Sequence, residues 1–313
     1  MKKIKIYGDT HKEQLLASKR DRLYRFFMAD GMVRGGVLHG TRMVSEMRAN
    51  HETGILETLA LGHAYLAAGL MAASLKGRDR LGFKIECSGP IQGLSVEANG
   101  YGEVRGYLKQ NPIPVTSPPD SFDLAPFFGA GFLSVTKYLE DAKQPFEGKV
   151  MLAHGTIAKD LAHYYLTSEQ VPTAFNLSVK FDRKGTVTGA GGLFLQVMPG
   201  ADDLLTRSLE KMVFRLPSIG TAFSKQCEPK ILILEAFEPL SPEFIGDHRV
   251  EFICHCNEKQ IRSLLNMLPR EDLEEIRENG PFPVDLKCHH CNTHYLFDRD
   301  EIVRICQQRF SDN

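Results

Sequence analysis

The sequence predicts an α+β protein in three parts: a mixed α/β sheet-and-helix core domain over residues 1–200, a helical linker over 201–247, and a small C-terminal module over 248–313. Three observations carry this prediction. Strand-like and helix-like signals alternate from Lys3 to about Gln196, and an apolar stripe at helical spacing follows Met198-Pro199-Gly200. Finally, Cys254-His255-Cys256 and Cys288-His289-His290-Cys291 form two tight pairs separated by 31 residues.

In the first part, Leu23, Phe26 and Phe27 lead to Gly31-Met32-Val33-Arg34-Gly35-Gly36-Val37-Leu38, which suits a turn and a strand. From Thr53 to Lys76, apolar Ile55, Leu56, Leu59, Tyr65, Leu66, Leu70, Met71 and Leu75 are separated by small residues. That pattern reads as a helix packed closely on its neighbours, and Glu57 and His63 argue against a membrane span. Phe83 to Cys87 alternates until Gly89-Pro90, and Leu94–Ala98 and Val104–Leu108 read as a hairpin around Asn99-Gly100. The stretch Asn111 to Asp120 holds four prolines and reads as a loop. Phe132–Thr136, Lys149–Leu152 and Gly192–Val197 add strands, and Ile157–Leu166 a helix.

In the second part, Leu204, Leu205, Leu209 and Met212 recur at helical spacing until Pro217-Ser218-Ile219-Gly220. The run Ile231-Leu232-Ile233-Leu234 is too short for periodicity to assign. In the third part, Ile261, Leu264, Leu265 and Leu268 mark one helix, and Leu273 and Ile276 a second between Pro269 and Gly280. Val284 and Leu286 lead as a strand into Cys288, and Tyr295 and Phe297 lead away from Cys291. Asp298 with Glu301 three residues later forms a capping box for a last helix.

Composition narrows the function. The chain of 313 residues, 42% hydrophobic and 25% charged with a net charge of -1, has no general attraction for nucleic acid or anionic membrane. From Glu251 onward, 8 Lys and Arg face 12 Asp and Glu, the wrong balance for a phosphate-binding ribbon. Met1-Lys2-Lys3-Ile4-Lys5-Ile6-Tyr7-Gly8-Asp9 lacks the apolar core of a signal peptide, so a cytoplasmic location with reduced thiols is expected. Gly129-Ala130-Gly131 and Gly189-Ala190-Gly191-Gly192 fit no phosphate-binding loop, and Asp160, His163 and Ser168 read as helix surface. No enzyme activity is expected.

Each close pair of thiols can present two sulfurs to one ion, and two pairs complete a tetrahedral shell. Cys254, Cys256, Cys288 and Cys291 are therefore expected to hold one Zn2+ per chain, although an iron–sulfur cluster would use the same ligands. Four thiolates leave no open position for activated water, which favours a structural or regulatory ion. The neighbouring His255, His289, His290 and His294 read as turn or surface residues, and Cys87, Cys227 and Cys306 as core or incidental thiols. Both pairs can also oxidise internally, and an oxidant forming both disulfides would eject the ion, removing of order 10 kcal/mol from a small module. Two readings stand at this point: a redox switch, and a structural zinc-binding adapter without switching.

Further motifs span nearly the whole chain: Gly102-Glu103-Val104-Arg105-Gly106-Tyr107-Leu108, Ser168-Glu169-Gln170-Val171-Pro172-Thr173, Gly191–Pro199 and Val250-Glu251-Phe252-Ile253-Cys254-His255-Cys256. With the cysteine spacing, they resemble the heat shock protein 33, or 33 kDa chaperonin, family of redox-regulated holdase chaperones. The resemblance implies zinc on Cys254, Cys256, Cys288 and Cys291 in an inactive reduced form. It implies disulfides Cys254–Cys256 and Cys288–Cys291 after oxidation, with zinc release and loosening of module and linker. It further implies ATP-independent capture of unfolding client proteins by a homodimer joined through the N-terminal domain. The Leu204, Leu205, Leu209 and Met212 stripe is then the surface that linker unfolding would expose. Cys306 is an additional thiol relative to the family, and residues 201–249 match it only loosely.

Overall fold

A computed structural model describes residues 2–4, 20–115 and 121–311. Apart from Lys2–Ile4, the N-terminal segment read above for a signal peptide lies outside the described residues, as do positions 116–120 of the proline-rich loop. The chain divides into two compact units, one of residues 15–253 and one of residues 254–313 with the N-terminal strand β1 (Lys2–Ile4).

The larger unit contains β2 (Arg22–Met28), β3 (Val33–His39), α1 (Thr41–His51), α2 (Ile55–Met71), β4 (Arg80–Cys87), β5 (Gly93–Asn99) and β6 (Glu103–Leu108). Then follow α3 (Ala125–Phe128), β7 (Gly131–Tyr138), β8 (Phe146–Met151), α4 (Ile157–Thr167), β9 (Thr173–Phe181) and β10 (Val187–Val197). It ends with α5 (Asp203–Arg215), α6 (Ile219–Ser224), α7 (Pro229–Ala236), β11 (Glu243–Arg249) and β12 (Glu251–Phe252). The strands form a five-stranded sheet in the order β11-β2-β3-β10-β9 and a six-stranded sheet in the order β12-β6-β5-β4-β7-β8. All pairs are antiparallel except β12 with β6.

Helix α2 packs against strands of both sheets, which explains its composition. Fourteen of its 17 residues are buried, so it is apolar all round instead of amphipathic. Its glycines permit the close approach: a methyl group on Gly69 would stand 2.9 Å from Leu38 Cδ2. By length and apolarity Ile55–Ser74 could cross a membrane, but 83% of that window is buried in the protein, as expected of a core helix.

Helices α5, α6 and α7 pack on the five-stranded sheet through a second apolar cluster. Leu209, Ile219, Phe223, Leu232, Ile233 and Phe237 join Phe26, Val33, Val37, Leu193 and Leu195. Strand β10 is accordingly buried at nearly every position, as a strand covered on both faces must be. Of the predicted linker stripe, Leu209 is buried and Leu205 and Met212 are half-buried against this cluster, whereas Leu204 is exposed. The unassigned run Ile231–Leu234 is helical, in α7.

Among the elements that the sequence did not announce, three have a clear physical reason. Helix α1 begins after Gly40, which has no side chain to cap it; the carboxylate of Asp21 accepts from Met43 N at 2.6 Å and from Arg42 N at 3.3 Å instead. Strand β9, at the sheet's edge beside β10, contacts helix α4 and is half-buried without clean alternation. Residues 243–249 form strand β11, not the end of a helical stretch, with a register shift between Phe244 and Gly246 that blurs its period.

In the smaller unit the helices and strands between 258 and 311 fall where the sequence expects them, while β1, expected in the N-terminal domain, joins its sheet. The unit holds α8 (Glu258–Met267), α9 (Arg270–Asn279), β13 (Val284–Lys287), β14 (His294–Phe297) and α10 (Arg299–Ser311), with sheet order β1-β14-β13. Pro269 stands at the start of α9, and Gly280, at φ +73°, follows its end. The capping box before α10 is formed in both directions: Glu301 N donates to Asp298 Oδ1 at 2.9 Å and Asp298 N to Glu301 Oε2 at 3.1 Å.

Candidate metal centre

The four predicted cysteines converge. Their sulfurs all lie within 4.8 Å of one another, the one group of three or more potential ligands of this kind among the described residues. The first pair sits just before α8, whose N-terminus is fixed by a reciprocal box: Gln260 N donates to Asn257 Oδ1 at 3.0 Å, and Asn257 N to Gln260 Oε1 at 3.2 Å. The second pair occupies the turn between β13 and β14. Asn292 N donates to the Cys288 carbonyl at 2.7 Å, Cys288 N donates to the Thr293 carbonyl at 2.9 Å, and Asn292 adopts the left-handed conformation at φ 56°. These bonds fold four residues so that Cys288 and Cys291 share one side.

Cross-pair distances are short: Cys254 Sγ lies 3.8 Å from Cys288 Sγ, and Cys256 Sγ lies 3.4 Å from Cys291 Sγ. A tetrahedral zinc with bonds of about 2.3 Å to sulfur requires sulfur–sulfur edges of about 3.8 Å. The donor set thus fits a soft divalent ion in size and chemistry. Cys288 and Cys291 are buried, and Cys254 and Cys256 half-buried.

Electrostatics favour a cation here. Hydrogen bonding among the sulfurs, led by donation from Cys254, holds Cys256 far below the ordinary thiol range and Cys291 at about 6. Hydrogen bonding, with Cys256 first for Cys254 and with Cys254 first for Cys288, pushes these two thiols well above it. Four adjacent thiolates would repel one another, so the cluster as a whole resists full ionisation without a cation. A divalent cation at the centre is what allows all four to ionise.

Two groups outside the sequence-predicted set touch the sulfurs. The Tyr295 hydroxyl donates to Cys256 Sγ at 3.1 Å, and Thr293 Oγ1 lies 3.2 Å from Cys291 Sγ. Burial raises the Tyr295 pKa, so the phenol stays a donor. Tyr295 lies on β14, four residues past Cys291, where the sequence shows it only as part of the stretch leading away from that cysteine.

The remaining candidates lie apart. His294 Nδ1 pairs with the Asp285 carboxylate at 2.8 Å. Cys306 is buried in α10 with Sγ 3.8 Å from the Leu273 carbonyl, and Cys87 and Cys227 are half-buried in the larger unit. Asp160 is buried and accepts from the backbone N–H groups of Ala153, His154 and Thr156 at 2.8, 2.9 and 2.9 Å, which gives it a structural task.

An α+β core that carries a compact four-thiol module is the class of protein this fold and centre define. The chain belongs to the Hsp33 protein family, whose profile matches residues 21–298, and it is a chaperone of that family. It is 34% identical to the 33 kDa chaperonin of Desulforamulus reducens, over 92% of this chain and 98% of that one. It is 32% identical to the 33 kDa chaperonin of Lachnoclostridium phytofermentans, over 91% and 98%. The crystal structure of the 33 kDa chaperonin from Thermotoga maritima matches with a TM-score of 0.84 at 30% identity, over 94% of this chain and all of that one.

Proposed function

We propose that the protein is a redox-regulated, ATP-independent holdase of the cytoplasm, non-enzymatic, that binds unfolding client proteins and acts as a homodimer. The observation that carries the reading is the convergence of four sulfurs from two separate segments within 4.8 Å. Bound zinc would keep all four sulfurs as thiolates and join the two segments. Cys254 and Cys256 hold one side of the centre, Cys288 and Cys291 the other, and Tyr295 orients Cys256.

Under the proposed switch, peroxide accepts two electrons for each new S–S bond, one between Cys254 and Cys256 and one between Cys288 and Cys291. The sulfurs then no longer bridge the segments. Loosening of the module and of α5 to α7 would uncover the apolar face that Phe26, Val37, Leu193 and Leu195 share with Leu209 and Phe223.

The deciding experiment measures zinc and free thiols before and after peroxide at mild heat, together with suppression of aggregation of a thermally unfolding client. Loss of about one zinc and four thiols with gained suppression supports the switch. Retained zinc with no gain overturns it and leaves a structural zinc adapter.

A further inference from the structure

A cavity of about 350 Å3 lies in the larger unit where β2 and β3 meet the connection between α6 and α7. Alternation along β2 builds one wall: Arg20, just before the strand, and Arg22 and Tyr24 within it stand two residues apart on one side. Phe26 and Met28 continue that side into the apolar cluster under the helices. The register of β2 with β3 sets His39 directly opposite Arg22. The His39 ring lies 4.8 Å from that of Phe223, and Gly191, opposite His39 on β10, has no side chain where the Phe223 ring sits. Gln226 and Cys227, from the connection, complete the lining.

The lining is cationic and aromatic, with Glu228 its one acid. Arg20 is exposed and makes no ion pair among the described residues, whereas Arg22 pairs with Asp247. The Asp21 carboxylate beside His39 is already taken up by His39 Nδ1 at 2.9 Å and by the backbone N–H groups of Arg42 and Met43. Lys230 of α7 adds a cation 5.5 Å from the Tyr24 ring centroid. Guanidinium forks match phosphate oxygens, and aromatic faces accept a flat ring. The volume falls in the range of small-ligand sites, about 300–1,000 Å3.

We propose that this cavity binds a small aromatic phosphate monoester of mononucleotide size or less, with the phosphate on Arg20 and Arg22 and the ring among Tyr24, His39 and Phe223, and that the bound ligand clamps α6 and α7 to the sheet. Only the docked helices complete the site, so ligand at 100 times its dissociation constant shifts the docking equilibrium about 100-fold. The clamp rests on the functional reading in which these helices loosen on oxidation; the binding does not.

The test begins with calorimetric titration of the reduced, zinc-loaded full chain with phenyl phosphate, adenosine monophosphate and uridine monophosphate, and with inorganic phosphate and adenosine for comparison. At least one ester should bind about tenfold or more tighter than inorganic phosphate and adenosine. Arg20→Gln should weaken that ester about tenfold or more, while Arg78→Gln, outside the cavity, should leave it within about twofold, with circular dichroism to confirm folding. No binding by any ester, inorganic phosphate binding as tightly as the esters, or unchanged affinity in Arg20→Gln overturns the site. For the clamp, saturating ester should slow hydrogen exchange over residues 219–236 in the reduced protein and delay peroxide-triggered client protection, and both effects should vanish in Arg20→Gln at the same concentration. Binding without slower exchange overturns the clamp. A chain that gains no client protection under peroxide overturns the holdase reading instead, and titration and exchange on the reduced protein still judge the site.

Discussion

The Tyr295 hydroxyl offers the sharpest probe of the metal centre. Tyr295→Phe removes one oxygen, the donor to Cys256 Sγ at 3.1 Å, and keeps a ring that is 0% exposed and therefore fixed by its packing. A hydrogen bond to a charged acceptor contributes about 1.5–3 kcal/mol, equivalent to roughly a 10- to 150-fold change in an equilibrium constant. Partners of metal ligands fall in a similar range, about 10- to 100-fold in affinity. The variant should therefore bind zinc at least about tenfold more weakly in competition with a chromophoric chelator. It should also lose its thiols faster to peroxide, because Cys256 forfeits the bond that spreads its charge. A folded variant with zinc affinity within about twofold of the wild type would refute the reasoning, since it would show that the hydroxyl does not support a thiolate.

Other perturbations separate the parts of the proposal. Replacing both Cys288 and Cys291 by Ser should abolish zinc binding in metal analysis and remove of order 10 kcal/mol from the module; a switch further expects client protection without oxidant, a structural adapter none. Leu209→Ala truncates a side chain that is 4% exposed under α5, should cost about 2–5 kcal/mol, and should lower the oxidant needed for client binding. Unchanged hydrogen exchange over residues 203–215 in that variant would count against it. Burial pushes the Glu169 pKa up, but hydrogen bonds from Lys137 and, at 2.8 Å, from the Tyr164 hydroxyl outweigh it, so the group sits below the ordinary glutamate value. Its stabilisation is complete above about pH 4.5 and is lost as pH falls through the depressed folded value. Denaturation midpoints should thus fall less steeply below about pH 4.5 in Lys137→Met than in the wild type.

The smaller unit was legible because its signals are local. The proline before α9, the glycine after it, the box of Asp298 and Glu301, and the alternating residues flanking each cysteine pair all act within one turn of the chain. The larger unit yielded α2 and most central strands, whose apolar residues announce burial. It withheld α1, because the group that caps that helix is 22 residues away, at Asp21. It withheld β11, because an edge strand interrupted at Gly246 has neither clean alternation nor an apolar run. At the centre, the four thiols were readable from spacing, whereas Tyr295 reaches Cys256 across 39 residues, a relation that only the folded hairpin creates.

The arrangement of the sulfurs explains why local disulfides could act as a release. The short contacts of the centre join positions 34 and 35 residues apart, Cys254 to Cys288 and Cys256 to Cys291. A cross-link closing a loop of that size restricts the unfolded chain by roughly 4 kcal/mol, whereas one closing three or four residues restricts it by roughly 2 kcal/mol or less. Disulfides within each pair would consume the same four sulfurs while leaving α8 and the hairpin of β13 and β14 tied only by packing. Disulfides across the pairs would retain the long closure without any metal. Oxidised protein trapped with Cys254 bonded to Cys288 should therefore remain folded and inactive toward clients, although it has lost both zinc and thiols. Mapping the disulfides by mass spectrometry alongside the client assay distinguishes the two outcomes. Equal activity from both pairings would mean that metal loss itself, and not the loss of the link between segments, opens the protein.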